Sequence, residues 1–158
     1  MFNKVFSLIV IIIAISLLYY LPNTEKVKLI GTEVKRMDQS SGKTKDVRFV
    51  VASDLETKDT LMYRNEDIIW PPYFKFDAGD LSGHVMNLEE TMPDKAVLIT
   101  YYGWRIPVFS MYPNATDISV VEDSYEHTPW FNIVTLILVT ALLAGAYFKS
   151  KNLISENN

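Results

Sequence analysis

Two long apolar segments, one near each end of the chain, differ from the alternating pattern between them. Residues 5–21 and 130–148 contain no charged side chain. A helix needs about 20 residues, with a floor near 17, to cross the hydrocarbon core of a bilayer. Aromatic residues lie at the ends of these segments, where a bilayer has its headgroups. The pattern therefore predicts two transmembrane helices.

The region between these segments alternates polar and apolar residues at the period of a β-strand. The alternation changes phase at Gly31, which indicates a bulge or a sharp bend in the first strand. Pro107 marks an edge or a bend in a later one. The predicted strands are residues 26–37, 46–52, 60–64, 96–102, 106–111 and 117–121.

One short helix is predicted between the third and fourth strands, over residues 77–92. Its apolar residues recur at helical spacing, Asp77 or Asp80 can cap its start, and Pro93 follows its end. Three strands, a helix and two or three further strands, with a bent first strand, are typical of an OB-like small barrel. The predicted fold is a mainly β domain of this type plus two transmembrane α-helices. A curved sheet with a helix across one end is the alternative.

The charges predict the domain boundaries and the orientation. Lys4, Lys149 and Lys151 flank the outer ends of the apolar segments, whereas the region between them holds 12 basic and 18 acidic residues. Basic residues next to a span favour the cytoplasm. We therefore expect a cytoplasmic tail and first helix in 1–22, an exported β-rich domain in 23–128, a second helix in 129–149 and a cytoplasmic tail in 150–158. Residues 16–22 do not resemble a cleavage site, which favours an uncleaved anchor over a signal peptide.

Few residues offer catalytic chemistry. The chain has no cysteine, which excludes disulfides, thiolate metal sites and a cysteine nucleophile. Asp77, Asp80 and His84 lie at i, i+3 and i+7, so they could share a helix face and bind a divalent metal. The simpler interpretation is two capping aspartates and a solvated histidine. We expect no catalytic residue, no cofactor and no nucleic-acid partner, and a metal-dependent enzyme is the remote alternative.

Two segments concentrate the large aromatic residues of the domain. Residues 64–80 include two consecutive prolines, which require an extended connection, and residues 101–105 turn at Gly103. Their rings could fill the core and cover the open end of a small barrel. They could instead form a groove for a partner protein or a lipid headgroup. The candidate interaction surface comprises Trp70, Tyr73, Tyr101, Tyr102, Trp104 and Arg105.

The second apolar segment carries a small-xxx-small pair, Ala141 and Gly145. Small residues let helices approach closely, either the two helices of one chain or helices of a larger complex or an identical subunit. The expected partners are therefore the lipid bilayer and other membrane proteins or a second copy.

Six blocks of the central domain are similar to a known family. They are GTEVKRMD (31–38), DVRFV (46–50), YRNED (63–67), WPPYFKFD (70–77), YYGWRIP (101–107) and YPNA (112–115). Together they resemble the bacterial DUF1523 family, a domain of unknown function. The resemblance implies a bacterial envelope protein, held in the inner membrane with its central domain in the periplasm, and it supplies no catalytic residues.

Two functional hypotheses follow. The first is a non-enzymatic accessory or scaffold subunit, or an interaction module, of a larger membrane complex. The alternative is a periplasmic ligand-binding or sensing module for a lipid headgroup or a metal.

Overall fold

A computed structural model of the protein describes residues 2–38, 42, 44–69 and 73–156. These residues form two compact units, Met1–Leu21 with Thr128–Asn158, and Pro22–His127. The elements in chain order are α1 (Phe2–Tyr20), β1 (Asn23–Asp38), β2 (Thr44–Asp54), β3 (Thr60–Arg64), α2 (Ala78–Thr91), β4 (Ala96–Tyr102), a 3-10 turn (Pro107–Phe109), β5 (Asn114–Val120) and α3 (Trp130–Glu156).

The first unit consists of α1 and α3. Both helices are long and apolar enough to cross a membrane, over Asn3–Tyr20 and Trp130–Leu153. The ring of Phe6, near the start of α1, lies 5.2 Å from the ring of Tyr147, near the end of α3. The two helices therefore place the start of one beside the end of the other.

The second unit is a five-stranded sheet with α2 beside it. The hydrogen-bonded order is β1-β2-β3-β5-β4, and β4 also pairs with β1, so the sheet closes into a barrel. The β3–β5 contact is parallel and is made at Arg64 and Asn114, whereas the other strand pairs are antiparallel. The prediction of a mainly β domain with two long apolar helices is confirmed.

Strand β1 pairs with two neighbours, β2 and β4, and its register with β2 changes near Gly31. Asn23 to Lys28 pair with β4, and the register with β2 shifts between Leu29 and Gly31. Gly31 has φ 143°, a backbone conformation that side chains with a Cβ rarely adopt. The predicted bulge is confirmed, and it lets one strand bend around the corner of the barrel.

Helix α2 packs one face against the interior of the barrel. Leu81, Val85 and Leu88 are buried there in one cluster with strand residues. The predicted stripe is therefore confirmed for these three, whereas Met92 lies at the end of the helix and is exposed. Apolar residues spaced in this way bury one side of a helix.

The start of α2 is not capped as predicted. Asp77 occupies the capping position but its side chain makes no capping hydrogen bond. The backbone N–H of Ala78 donates instead to Oδ1 of Asp67, at 3.0 Å. An acceptor eleven residues upstream therefore replaces the local cap, because the fold brings Asp67 to the helix terminus.

The prediction of a strand over residues 106–111 is wrong. Ile106 and Met111 form an isolated bridge, and a 3-10 turn, Pro107–Phe109, lies between them. Pro107 lacks an N–H and Ser110 adopts a left-handed conformation with φ 53°, so the chain cannot continue as a ladder. The last strand begins at Asn114 rather than at Asp117.

Candidate interaction surface

The two aromatic segments singled out by the sequence meet in the structure. The ring of Tyr73 stacks on the ring of Tyr102, with centroids 4.4 Å apart and an interplanar angle of 14°. Trp70 lies outside the described residues. Tyr102 is buried at the end of β4, so this contact joins the 73–77 segment to the barrel wall.

A second group places Arg105 against the core. Its guanidinium carbon lies 4.7 Å from the centroid of the Tyr63 ring, and its Nη2 lies 3.7 Å from Oε2 of Glu25. The hydroxyl of Tyr63 donates a hydrogen bond to the same carboxylate. The ring of Tyr101 lies 5.1 Å from that of Tyr63. Arg105 therefore belongs to this internal group.

These tyrosines remain neutral at ordinary pH. Burial raises the pKa of Tyr63, and the neighbouring Glu25 carboxylate adds to the effect. Burial also raises the pKa of Tyr101, and it raises the pKa of Tyr73 to about 12. A buried phenol resists ionisation because the low-dielectric interior disfavours the charged form.

The predicted surface thus divides into packing residues and exposed residues. Tyr102 is buried and Tyr101 packs against the core, whereas Trp104 is exposed. The ring-filling interpretation fits the first two of these. Trp104 marks the start of a loop that projects apolar side chains, Val108 and Phe109.

Lys75 is the residue that sequence reasoning missed. It lies between two exposed phenylalanines, yet only 6% of it is exposed. Its Nζ donates to Oδ1 of Asn65 at 2.6 Å and to the carbonyl of Ala115 at 2.7 Å. Among the described residues, no carboxylate forms an ion pair with this ammonium group. Burial lowers the pKa of Lys75, while Asp77 and Asp67 act in the opposite direction.

Asn65 holds the lysine and connects it to α2. Its side-chain N–H groups donate to the carbonyl of Ala78 and to Oγ of Ser82, both at 2.8 Å. Its own backbone N–H donates to the carbonyl of Arg48 on β2. An isolated antiparallel β-bridge between Ile68 and Lys75 orients the 73–77 segment. The buried polar groups of this network are therefore paired, as buried polar groups must be.

The same geometry points the neighbours of Lys75 outward. Phe74 is 62% exposed and Phe76 is 70% exposed, and Ile69 on the facing side of the bridge is exposed as well. In an extended segment successive side chains point to opposite faces. The sequence Phe-Lys-Phe carries part of this signal, because in an extended segment the lysine and the two rings must point to opposite faces. The usual arrangement buries the rings and exposes the lysine, and this segment has the opposite one.

The candidate metal ligands do not form a cluster. Asp77, Asp80 and His84 are all exposed. Across the described part of the chain, no three His, Cys, Asp or Glu side chains are arranged to hold an ion.

The small residues of α3 also lie apart from intramolecular contacts. A Cβ added at Gly145 would meet nothing within 4 Å, and Ala141 is exposed. The ring contact of Phe6 with Tyr147, which is one contact between the two helices, does not involve this pair. Ala141 and Gly145 therefore leave space that α1 does not fill.

Comparison with known proteins supports the similarity noted from the sequence. The family model "Protein of unknown function (DUF1523)" matches residues 1–152. An "Uncharacterized protein" of Haemophilus influenzae (strain ATCC 51907 / DSM 11121 / KW20 / Rd) is 36% identical over 140 residues, which cover 82% of this chain and 78% of the relative. No solved structure shows a significant match. The chain belongs to the DUF1523 family.

Proposed function

We propose that this protein is a non-enzymatic membrane protein of the bacterial envelope whose barrel is an interaction module for a partner protein. In this proposal α1 and α3 cross the inner membrane, both termini are cytoplasmic and the barrel is periplasmic. The apolar lengths of the helices and the three lysines at their outer ends support this arrangement. The proximity of the start of α1 to the end of α3 also agrees with it.

We further assign the barrel to the OB-like type. The support is the order β1-β2-β3-β5-β4, a bulged first strand shared between two neighbours, and a helix between β3 and β4. OB-like barrels are binding folds that use one face and its flanking loops. The type of fold allows many ligands, so the partner has to be argued from the surface itself.

One observation carries the proposal, namely that the 74–76 segment exposes its rings and buries its cation. Placing an ammonium group inside requires compensating hydrogen bonds. Leaving two phenylalanines in water forgoes about 2 kcal/mol for each ring that burial would provide. A segment inverted in this way gains when another surface covers the rings. Exposed apolar patches with a polar rim mark interaction sites.

The rim of this patch indicates the chemistry of the partner. Asp67 and Asp77, both exposed, flank the apolar group formed by Ile69, Phe74 and Phe76. Negative charges repel the anionic surface of a bacterial membrane and attract basic side chains. We therefore propose a partner protein that offers an apolar surface bordered by lysine or arginine.

The test is native purification of the full chain from membranes in mild detergent. The double variant Phe74→Ser/Phe76→Ser should reduce the co-purifying partner by at least about tenfold, since two central rings of a hot spot contribute more than 1.4 kcal/mol. Phe109→Ser removes an equally exposed ring elsewhere and should leave the partner bound. A wild-type chain that purifies alone, or a double variant that keeps the partner, contradicts the proposal.

The open face of α3 extends the same proposal into the membrane. Ala141 and Gly145 leave a stripe that a helix of the partner, or of a second copy, can approach closely. Gly145→Leu should leave the barrel folded and weaken association in detergent. Ala144→Leu, at an exposed site one position away, is the matched control.

A second candidate function rests on a depression of about 400 Å³ beside the same segment. Tyr73, Lys75, Asp77 and Thr116 line it together with the two phenylalanines. Its mixture of rings and polar groups suits a headgroup-sized ligand in a periplasmic binding or sensing module. Glycerophosphoethanolamine should then raise the unfolding temperature of the wild-type chain, and Thr116→Val should reduce that shift. No shift in the wild type contradicts this alternative.

A further inference from the structure

A second exposed apolar group lies on the loop of residues 103–113, between β4 and β5. Val108 is 89% exposed and Phe109 is 73% exposed, and both lie on the 3-10 turn at the tip of the loop. Trp104 is exposed near its base. This loop is separate in sequence from the Phe74–Phe76 patch, which suggests a separate purpose.

The loop is held in a defined shape that keeps its tip away from the core. The backbone N–H of Ile106 donates to the carbonyl of Met111 at 2.9 Å, and the N–H of Met111 donates back at 3.2 Å. The N–H of Phe109 donates to the carbonyl of Ile106 at 3.0 Å. Arg64 donates from Nη2 to the carbonyl of Ser110 at 3.4 Å. These bonds fix the exposure of the tip.

The position of the loop in the sheet relates it to the point where the chain enters the barrel. Strand β1 begins at Asn23, three residues after α1 ends at Tyr20. Asn23 pairs with Tyr101, and β4 runs antiparallel to β1. The loop that follows β4 therefore begins at the same end of the barrel as β1. Three residues of extended chain cover about 10 Å, which limits the length of chain between the end of α1 and the start of β1.

The charge of the loop differs from that of the rest of the domain. Residues 96–116 contain no acidic side chain and a single cation, Arg105, although residues 22–129 carry 18 acidic residues. Glu25 already faces that arginine. An uncharged tip with a tryptophan at its base has the composition of a segment that lies at a membrane–water interface. The Phe74–Phe76 patch, in contrast, is bordered by carboxylates, which suit a protein partner.

We propose that the loop of residues 103–113 inserts Val108 and Phe109 into the interface of the membrane that α1 and α3 cross. The bilayer, rather than a protein, covers this second apolar group. The proposal rests on the membrane anchoring in the proposed function but uses a different surface from the partner site. Because the loop carries little charge, its contact with lipid should not require anionic headgroups.

The test uses the full chain in lipid nanodiscs with single nitroxide labels. The chain has no cysteine, so each of three variants carries one label. Val108→Cys reports on the loop tip, and Ile137→Cys reports on the exposed face of α3. Thr44→Cys, an exposed site at the end of β2 that pairs with Asp38, reports on water. The measurements are label accessibility to oxygen, which concentrates in lipid, and to a water-soluble nickel complex.

The expected result is a label at position 108 that resembles position 137 rather than position 44. Its accessibility to nickel should be several-fold below that at Thr44, and its accessibility to oxygen should be higher. The result should be the same in zwitterionic nanodiscs and in nanodiscs with anionic lipid. Circular dichroism of each variant checks that the barrel is folded.

Three results would overturn the proposal, and each has a different meaning. A label at 108 with the nickel accessibility of Thr44 indicates a loop in water. Shielding from both reagents indicates a protein occupant, and spin–spin broadening at 108 identifies that occupant as a second copy. If position 137 is also exposed to nickel, the membrane anchoring itself fails. Either of the first two results, when position 137 is exposed to lipid, defeats the loop proposal but leaves the membrane anchoring intact.

Discussion

Lys75 and Arg105 both place their charged groups against the interior of the barrel domain, but their charges are compensated in different ways. Arg105 faces the Glu25 carboxylate and lies over the Tyr63 ring. Lys75 has two neutral acceptors, the Asn65 amide and the Ala115 carbonyl. An ion pair lowers the electrostatic cost of burial directly, whereas neutral dipoles leave a larger part of it.

The difference shows what each cation does for its surroundings. Arg105 ties the base of the 103–113 loop to β1 and β3, so it joins parts that the barrel already holds together. Lys75 ties an irregular segment to α2 and β5, and its burial forces the neighbouring phenylalanines outward. The less well compensated cation is therefore the one that creates the exposed patch.

The largest expected effect is at Lys75. Lys75→Met should lower the free energy of unfolding by about 3 kcal/mol, because two buried acceptors lose their donor at roughly 1–3 kcal/mol each, partly offset by relief of the buried ammonium group. Chemical denaturation of the full chain in detergent micelles, followed by near-ultraviolet circular dichroism, measures the change. Lys95→Met, at an exposed lysine, should have little effect. A neutral result at Lys75 would mean that the patch can form without its buried cation.

A smaller effect is expected at the partner of Arg105. Glu25→Gln keeps an acceptor for the Tyr63 hydroxyl but removes the negative charge. The pair is partly exposed, so the loss should be about 1–2 kcal/mol rather than the value for a fully buried pair. The same denaturation measurement applies. The matched control is Asp46→Asn, which breaks the exposed pair with Arg36 at 3.2 Å and should cost less than about 0.5 kcal/mol.

The smallest expected effect is on how the free energy of unfolding changes at alkaline pH. This change tests the ionisation of Tyr63, the phenol beside Arg105. Folding raises the pKa of Tyr63 above its ordinary value of 10.0. A raised pKa contributes stability that is present below pH 10 and is lost as pH rises above it, because the unfolded chain then releases the proton first. Tyr63→Phe should therefore lose about 1 kcal/mol less than the wild type between pH 10 and pH 11. Tyr125→Phe, an exposed tyrosine, is the control, and identical slopes for Tyr63→Phe and the wild type would show that Tyr63 ionises freely in the folded state.

Elements with strong local signals could be predicted from the sequence. The bounds of β3 and β4 agree with the prediction because each is a short run of alternating or β-branched residues between turn signals. The Gly31 bulge and the buried stripe of α2 were equally visible. Both depend on residues that are close together in the chain.

The remaining features depend on residues far apart in sequence. Asp67 caps α2 from eleven positions away, and Asn114 begins β5 where its side chain bonds the backbone of Glu66. Lys75 is buried because Asn65 and Ala115 meet it from two sides. No periodicity within a short window encodes such contacts, which explains why the start of β5 and the burial of Lys75 rather than of its neighbours were not predicted.

The shared strand β1 also has a consequence in time. Its first four residues, Asn23 to Lys26, pair with β4 and not with β2, and the partners Asn23 and Tyr101 are 78 positions apart in the chain. At roughly 5–20 residues per second of synthesis, about 4–16 seconds pass before the partner of Asn23 has been made. During that interval the emerging strand presents unpaired backbone groups to any other extended chain. Closure of the barrel therefore has to wait until β4 and β5 have been made, and until then the new chain is vulnerable to mispairing.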